Sequence, residues 1–301
     1  MRASDVPDVV DAVVRDQRIA NEANHFIDPR VDRDTLTDSF QRRPTPTWVA
    51  RDATRLRGHL TATTLTRPSG HVSAWISPDA VSFEDTATLS ALYAAAGAEW
   101  LRGGVDDHQA WVYDRPDARE PWVELGFAMR FRRGSLDLSA HDVADWPSGY
   151  DLRRGTLDDL DLSMHFNRLL DDEEHVGPTF ARPEPLSREE TEETLEEPDT
   201  IFVVVEQRGT PVAQCIAFPL LPVRGAHPRT LHLSAVVVEP SHRGRGVATA
   251  MLDRVLAEAR QSGFEFADVT WRTANPSAAA FWAAYGVTPT YVRLQRRIDR
   301  D

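Results

Sequence analysis

Residues 232–252, HLSAVVVEPSHRGRGVATAML, decide the fold prediction for this chain. The apolar stretch Ala235 to Val238 predicts a strand that runs through Pro240 into the loop Arg243-Gly244-Arg245-Gly246 and then directly into a helix. Such a loop presents backbone N–H groups at a helix N-terminus, where glycine allows close approach and the helix dipole favours negative charge. The segment therefore predicts an anion site, and we expect a phosphate or pyrophosphate as its ligand.

The loop resembles the acyl-CoA signature of the GNAT superfamily of N-acyltransferases, [RQ]-x-x-G-x-[GA]. Arg243, Gly246 and Ala248 fill its three fixed positions, and Val238-Glu239-Pro240 also fits the family pattern. Two other nucleotide-binding patterns are not supported, because the loop has neither G-x-G-x-x-G nor a Lys-Ser/Thr pair. Without the family resemblance, the same residues would also suit a tight turn with two solvated arginines.

Composition limits the protein class. The 301 residues are enough for two domains, and 41% hydrophobic with 27% charged residues is typical of a globular protein. No apolar run reaches membrane-span length, and acids interrupt the first twenty residues, which argues against a signal peptide. Cys215 is the single cysteine, and the net charge is −13. We therefore expect a cytoplasmic protein without nucleic-acid or membrane partners and without a metal, as a monomer or homodimer.

The second half of the chain predicts an element order similar to that of GNAT domains. The predicted elements are a strand Tyr150–Arg153, helices Leu157–Leu170 and Ser187–Glu197, strands Thr200–Glu206, Pro211–Phe218 and Thr230–Val238, a helix to about Ser262, a strand Phe266–Trp271, a helix Ser277–Tyr285 and a strand Thr290–Ile298. Residues 149–301 are accordingly interpreted as a GNAT N-acyltransferase domain.

The first half repeats this order more faintly. Its predicted elements are helices over Asp5–Ile19 and around Leu89–Tyr93, and strands Thr47–Arg51, Gly58–Leu65, Val72–Ile76, Gln109–Tyr113 and Ala128–Arg132. No glycine loop lies between Ile76 and Leu89, where Asp79, Glu84 and Asp85 stand instead. We expect an α+β (mixed α/β) fold of two GNAT-like modules, each a mostly antiparallel mixed sheet flanked by helices. We interpret residues 1–140 as the degenerate module without acyl-CoA, and a single divergent α+β domain is the alternative.

The resemblance implies which residues bind the cofactor. The pyrophosphate of acetyl-CoA, or of another acyl-CoA, is expected on the backbone amides of Arg243, Gly244, Arg245, Gly246, Val247 and Ala248. The pantetheine arm is expected along Val236, Val237 and Val238, as an added strand. Asn275-Pro-Ser-Ala278-Ala-Ala-Phe281-Trp282 resembles the second cofactor motif of the family, in which Asn275 reaches the CoA arm and Phe281 packs in the core.

The catalytic residues are less determined. Trp282 stands where many members carry the tyrosine that protonates the leaving thiolate, and indole is no general acid, so Tyr285 is the fallback candidate. Ser234 occupies the position of a common glutamate base. Strand parity places His232 on the same face as Ser234 and makes it the best candidate base, while a purely structural histidine stays open. His165 and His175 are weaker candidates.

Twelve acidic residues lie between Asp171 and Asp199, opposed only by Arg182 and Arg188. A solvated face is the ordinary explanation, but negative potential beside an acceptor cleft would also concentrate a cationic amine. We therefore expect an N-acetyltransferase that moves an acetyl group from acetyl-CoA to a small cationic amine. The alternative is an acyl-CoA-binding sensor or interaction module with little turnover.

Overall fold

The computed structural model describes residues 1–42, 46–66, 70–139, 143–180, 187–221 and 225–299. They divide into two units that do not follow chain order. The first unit contains the chain up to Arg132, residues 225–226 and the chain from Pro289 onward, and the second contains the rest. The units therefore differ from the predicted modules 1–140 and 149–301 at residues 133–139, at residues 225–226 and at the last strand. The module boundaries themselves stay a prediction.

The first unit carries four helices and eight strands in whole or part. They are α1 (Val6–Ala23), α2 (Arg33–Arg42), β1 (Thr47–Arg51), β2 (Leu56–Thr61), β3 (Thr63–Thr66), β4 (Val72–Ile76), β5 (Val81–Phe83), α3 (Thr86–Arg102), β6 (Asp107–Tyr113), α4 (Pro116–Glu124), the start of β7 (Ala128–Asp137) and most of β14 (Thr288–Arg297). β14 belongs here because it pairs antiparallel with β6, while β4 runs parallel to β6. A separate three-stranded sheet has the order β1-β2-β5.

The second unit is built on a mixed sheet with the strand order β7-β13-β11-β10-β9-β8. Its elements are β8 (Asp151–Arg154), α5 (Leu160–His175), α6 (Arg188–Glu196), β9 (Ile201–Gln207), β10 (Thr210–Pro219), β11 (Thr230–Leu233), β12 (Val237–Val238), α7 (Val247–Gln261), β13 (Phe266–Arg272) and α8 (Pro276–Ala284). β11 and β13 are parallel, whereas β8, β9, β10 and β11 pair antiparallel in turn. The predicted fold class, mixed sheets flanked by helices, is confirmed.

Side chains alternate between the two faces along the strands, and their contacts show that α7 covers one face of this sheet and α5 and α6 cover the other. Val203, Val205 and Cys215 pack in the core with α7, and the intervening Val204 and Ile216 pack against α5 and α6. The acidic helix α6 begins with the predicted capping box. Ser187 Oγ accepts from the Glu190 N–H, and the Glu190 carboxylate accepts from the Ser187 N–H.

Several predicted bounds need correction. The strand predicted over Thr230–Val238 is two strands, and the strand predicted over Gly58–Leu65 is β2 and β3. The helix predicted over Leu157–Leu170 is a 3-10 turn at 157–159 followed by α5, which continues to His175. Of these three interruptions, only the one between β11 and β12 lies in the segment that is predicted to bind acyl-CoA. No helix in the described ranges is both long and apolar enough to span a bilayer.

Candidate functional site

A β-bulge opens the sheet of the second unit at residues 234–236. β11 ends with Leu233 opposite Ala217 of β10, and β12 resumes with Val237 opposite Gln214 of β10. Residues 234–236 therefore lie opposite only two residues of β10, 215 and 216. The Ser234 N–H still donates to the Ile216 carbonyl at 2.9 Å. β11 pairs with β13 as far as Leu233, but within the described residues β12 pairs with β10 alone. The other edge of β12 is therefore open to a ligand.

The loop after β12 is shaped by two glycines in left-handed conformation. Gly244 has φ 69°, and Gly246, the N-cap residue of α7, has φ 78° and ψ 0°. Glycine adopts this region without the Cβ penalty that other residues meet. A Cβ built on either glycine has no neighbour within 4 Å, so the requirement is conformational and space remains above the loop.

The N-terminus of α7 carries backbone N–H groups that no side chain caps. The Ala250 N–H donates to the Gly246 carbonyl at 3.0 Å, and Gly246 has no side chain to accept from the first turn. The N–H groups of Val247, Ala248 and Thr249 precede this first intrahelical bond and have no partner in the helix. Together with the helix dipole, they favour an anion at this point.

A cleft of about 720 Å³ lies between the open edge of β12, the loop and the start of α8. This volume is within the range of small-molecule and cofactor sites. The cleft is lined by Leu170, Glu173, Val176, Gly177, Pro178, Thr179, Val236, Val237, Val238, His242, Arg243, Gly244, Gly246, Val247, Ala248, Thr249, Asn275, Pro276, Ser277, Ala278, Phe281 and Trp282. Every predicted cofactor-binding residue except Arg245 is in this set. Their binding role stays a prediction, but the fold brings them together.

Arg243 joins three parts of the cleft wall. Its Nε donates to the Val238 carbonyl at 2.9 Å, which ties the loop to the end of β12. Its guanidinium also pairs with the Glu173 carboxylate at the end of α5. The Arg243 guanidinium is thus engaged by protein groups, so the backbone amides of the loop are the better anion ligands.

The second predicted motif forms the start of α8. Asn275 Oδ1 accepts from the Ala278 N–H at 3.0 Å and caps the helix, and Pro276 occupies its first turn. Trp282 is 6% exposed and packs in the core, with Phe281 partly buried beside it. The indole therefore closes the inner wall of the cleft.

Tyr285 does not line the cleft. Its hydroxyl donates to Asp253 Oδ1 at 2.6 Å, and Asp253 Oδ2 accepts from the Ala144 N–H at 2.8 Å. Burial, together with the hydrogen bond to Asp253, raises the pKa of Tyr285 well above its usual range. This geometry connects α8 to α7 and keeps the phenol protonated.

His232 lies on the α5/α6 face of the sheet and contacts a buried carboxylate that the sequence did not indicate. Its Nδ1 is 2.6 Å from Asp268 Oδ1, and Asp268 Oδ2 contacts Arg133 Nε. The His232 side chain is 20% exposed and that of Asp268 is 1% exposed. Ser234 is exposed at the bulge. Neither His232 nor Ser234 lines the cleft in this structure.

The other candidates lie on α5 and α6. His165 Nε2 is 3.1 Å from Glu239 Oε1 in an exposed pair, and His175 is the last residue of α5. The α6 carboxylates Glu189, Glu190, Glu192, Glu193 and Glu196 are all exposed. Among the residues that the structure describes, no three His, Cys, Asp or Glu side chains are grouped as a metal site.

In the first unit, the corresponding helix N-terminus is closed by a carboxylate. Asp85 Oδ1 accepts from the Thr88 N–H at 2.7 Å and caps α3. Hydrogen bonds from Thr88 lower the pKa of Asp85. The nearby cavities include one of about 80 Å³, lined in part by Pro78 and Val81–Phe83, and one of about 240 Å³, lined in part by Arg55 and Glu84. The N-terminus of α3 is thus already capped by a carboxylate.

Comparison with known proteins agrees with the geometry. Residues 166–287 match the model of the Acetyltransferase (GNAT) family. Similar solved structures include a GCN5-related N-acetyltransferase from Sphaerobacter thermophilus, with 15% identity, a TM-score of 0.63 and coverage of 100% of this chain and 96% of that chain. A tandem GNAT protein from the clavulanic acid biosynthesis pathway has 18% identity, a TM-score of 0.54 and coverage of 100% and 98%. No match was found among curated proteins.

Proposed function

We propose that this chain transfers the acetyl group of acetyl-CoA directly to the amine of a small, cationic acceptor, on the basis of the match of residues 166–287 to the Acetyltransferase (GNAT) family model. The observation that carries the proposal is the cleft of the second unit, which combines an open strand edge with an uncapped helix N-terminus. These two features suit the two chemically different parts of an acyl-CoA, an amide-rich arm and a pyrophosphate.

The residues of the cleft fit this ligand part by part. The amides of Gly244 to Thr249 would hold the pyrophosphate through charge-assisted hydrogen bonds. The free edge of β12 would hydrogen-bond the pantetheine amides as an added strand. The bulge at 234–236 would then place the thioester where the strand that continues from β11 separates from β13.

The transfer requires one proton acceptor on the protein. The neutral amine attacks: its nitrogen forms a bond to the thioester carbon, the C–S bond breaks, one N–H proton passes to the base, and the thiolate takes up a proton from solvent. We assign the proton acceptor to His232, whose imidazole is partly exposed on the face of the sheet that α5 and α6 cover. Tyr285 receives no catalytic role in this mechanism, because its hydroxyl is bound to Asp253.

The charge of α6 supports a cationic acceptor. Its exposed carboxylates stand on the helix that packs with α5 on that same face of the sheet, through Thr191 and Leu195. An acidic surface beside the acceptor raises the local concentration of a cation, and the effect weakens with salt. Replacing Glu189, Glu190, Glu192 and Glu193 by Gln should raise KM for a cationic amine. Replacing the exposed Glu99, Glu120 and Glu124 of the first unit is the control and should leave KM unchanged.

The alternative is an acyl-CoA-binding sensor. It is favoured by one observation, the buried Trp282, which stands where the resemblance to the GNAT superfamily implies a tyrosine acid in many members. Release of CoA thiol should be followed with a panel of amines, in parallel with acetyl-CoA binding by calorimetry. Release with at least one cationic amine supports the enzyme. Tight binding without release for any amine supports the sensor.

A further inference from the structure

We propose that Asp268 is a positioning residue, which orients His232 so that it can act as the general base. Arg133 in turn contacts the Asp268 carboxylate. The inference rests on the proposed function and deepens it, because it names the protein groups that would make this histidine a proton acceptor. None of the three side chains lines the cleft. His232 precedes the bulge at residues 234–236 by two residues, and Asp268 and Arg133 would act through it.

The three side chains form a row across three neighbouring strands. His232 of β11 and Asp268 of β13 are direct partners in the parallel register, so both side chains emerge on the same face. β7 is the next strand, and its Arg133 contacts the second oxygen of the same carboxylate. The exposed fraction of the side chain is 20% at His232, 1% at Asp268 and 10% at Arg133. The row therefore leads from a partly accessible imidazole into the interior.

The short contact fixes the tautomer of the imidazole. An ionised carboxylate has no proton to give, so His232 Nδ1 must be the donor at 2.6 Å from Asp268 Oδ1. The neutral ring then carries its lone pair on Nε2, which has no hydrogen-bond partner among the described residues. When Nε2 takes the amine proton, the imidazolium is stabilised by Asp268, and Arg133 balances the charge of the buried carboxylate.

A double-mutant cycle separates this role from a purely structural ion pair. His232→Ala should lower kcat by about 100-fold or more. Asp268→Asn should lower kcat by about tenfold or more while KM for acetyl-CoA and amine changes less than twofold, because it disturbs the base and not the binding sites. In the His232→Ala background, Asp268→Asn should have no further effect. Glu265→Gln, which removes the partner of Arg229 just before the same strand, is the control and should keep wild-type kcat.

A spectroscopic measurement tests the same claim without activity and without a variant. In NMR spectra of wild-type protein, the ¹⁵N chemical shifts of His232 should show a protonated Nδ1 and an unprotonated Nε2. The proton on Nδ1 should have a downfield chemical shift. The opposite tautomer overturns the inference. The inference is also overturned if Asp268→Asn lowers kcat by the same factor in wild-type protein and in the His232→Ala variant, because that result would mean a structural role. If His232→Ala keeps full kcat, the base assignment fails as well.

Discussion

Replacing Gly246 by alanine tests the backbone geometry of the cleft. Gly246 has φ 78°, a conformation that costs an L-residue about 1–2 kcal/mol. No atom lies within 4 Å of the added Cβ, so no clash adds to this cost in the free protein. If the variant loop relaxes, binding must restore the left-handed conformation, and the Kd for acetyl-CoA should rise about 5–30-fold. If the loop does not relax, the strain appears as a fall in Tm of about 2–8 °C.

Gly209 provides a matched control for this experiment. It lies in the turn between β9 and β10, has φ 76°, and also has no atom within 4 Å of an added Cβ. Gly209→Ala should therefore cost similar stability but leave the Kd unchanged. Calorimetric titration with acetyl-CoA and thermal melts should be recorded for both variants. If Gly246→Ala keeps both wild-type affinity and wild-type Tm, its loop has relaxed without a cost to binding, and the amides of this loop are not the ligands of the phosphates.

The remaining predictions concern buried polar groups. Tyr285→Phe should lower the free energy of unfolding by about 1–3 kcal/mol, because Asp253 loses a donor, and should change kcat less than twofold; a large loss of kcat with normal stability would restore Tyr285 as the acid. Burial raises the pKa of the Cys215 thiol to about 12, so at pH 8 only about 10⁻⁴ of it is thiolate, and thiol reagents should label it in unfolded but not in native protein. Burial raises the pKa of Asp16 from 3.8 to about 6, so the native state holds this proton more tightly than the unfolded chain and loses stability as pH rises from about 4 to 6. Asp16→Asn should remove that part of the pH dependence in denaturant titrations, and an unchanged dependence would contradict the assignment.

Local sequence signals predicted the fold where they were strong. The capping box at Ser187, the glycine loop before α7 and the alternating strands around it produced the expected elements. α2 was not predicted, because Leu36 and Phe40 are its only buried apolar residues and do not make a clear helical pattern. The bulge after Leu233 was also missed, because a run of apolar residues carries no sign of one inserted residue.

The sequence predicted only the part of the candidate site that consists of residues close together in the chain. Residues close in sequence, such as the loop from Arg243 to Ala248, can be recognised from a motif. The contact between His232 and Asp268 depends on the register of β11 against β13, which joins residues far apart in the chain. The roles of Arg243 and Tyr285 depend on Glu173 and Asp253, which only packing brings close to them.

A crystal structure of the complex with acetyl-CoA tests the central claim most directly. We predict pyrophosphate oxygens within about 3.2 Å of backbone nitrogens between Gly244 and Thr249. We also predict that the pantetheine amides pair with the open edge of β12 and that the thioester lies at the bulge of residues 234–236. Acetyl-CoA bound at another surface, or bound here with its pyrophosphate away from the start of α7, would contradict the account.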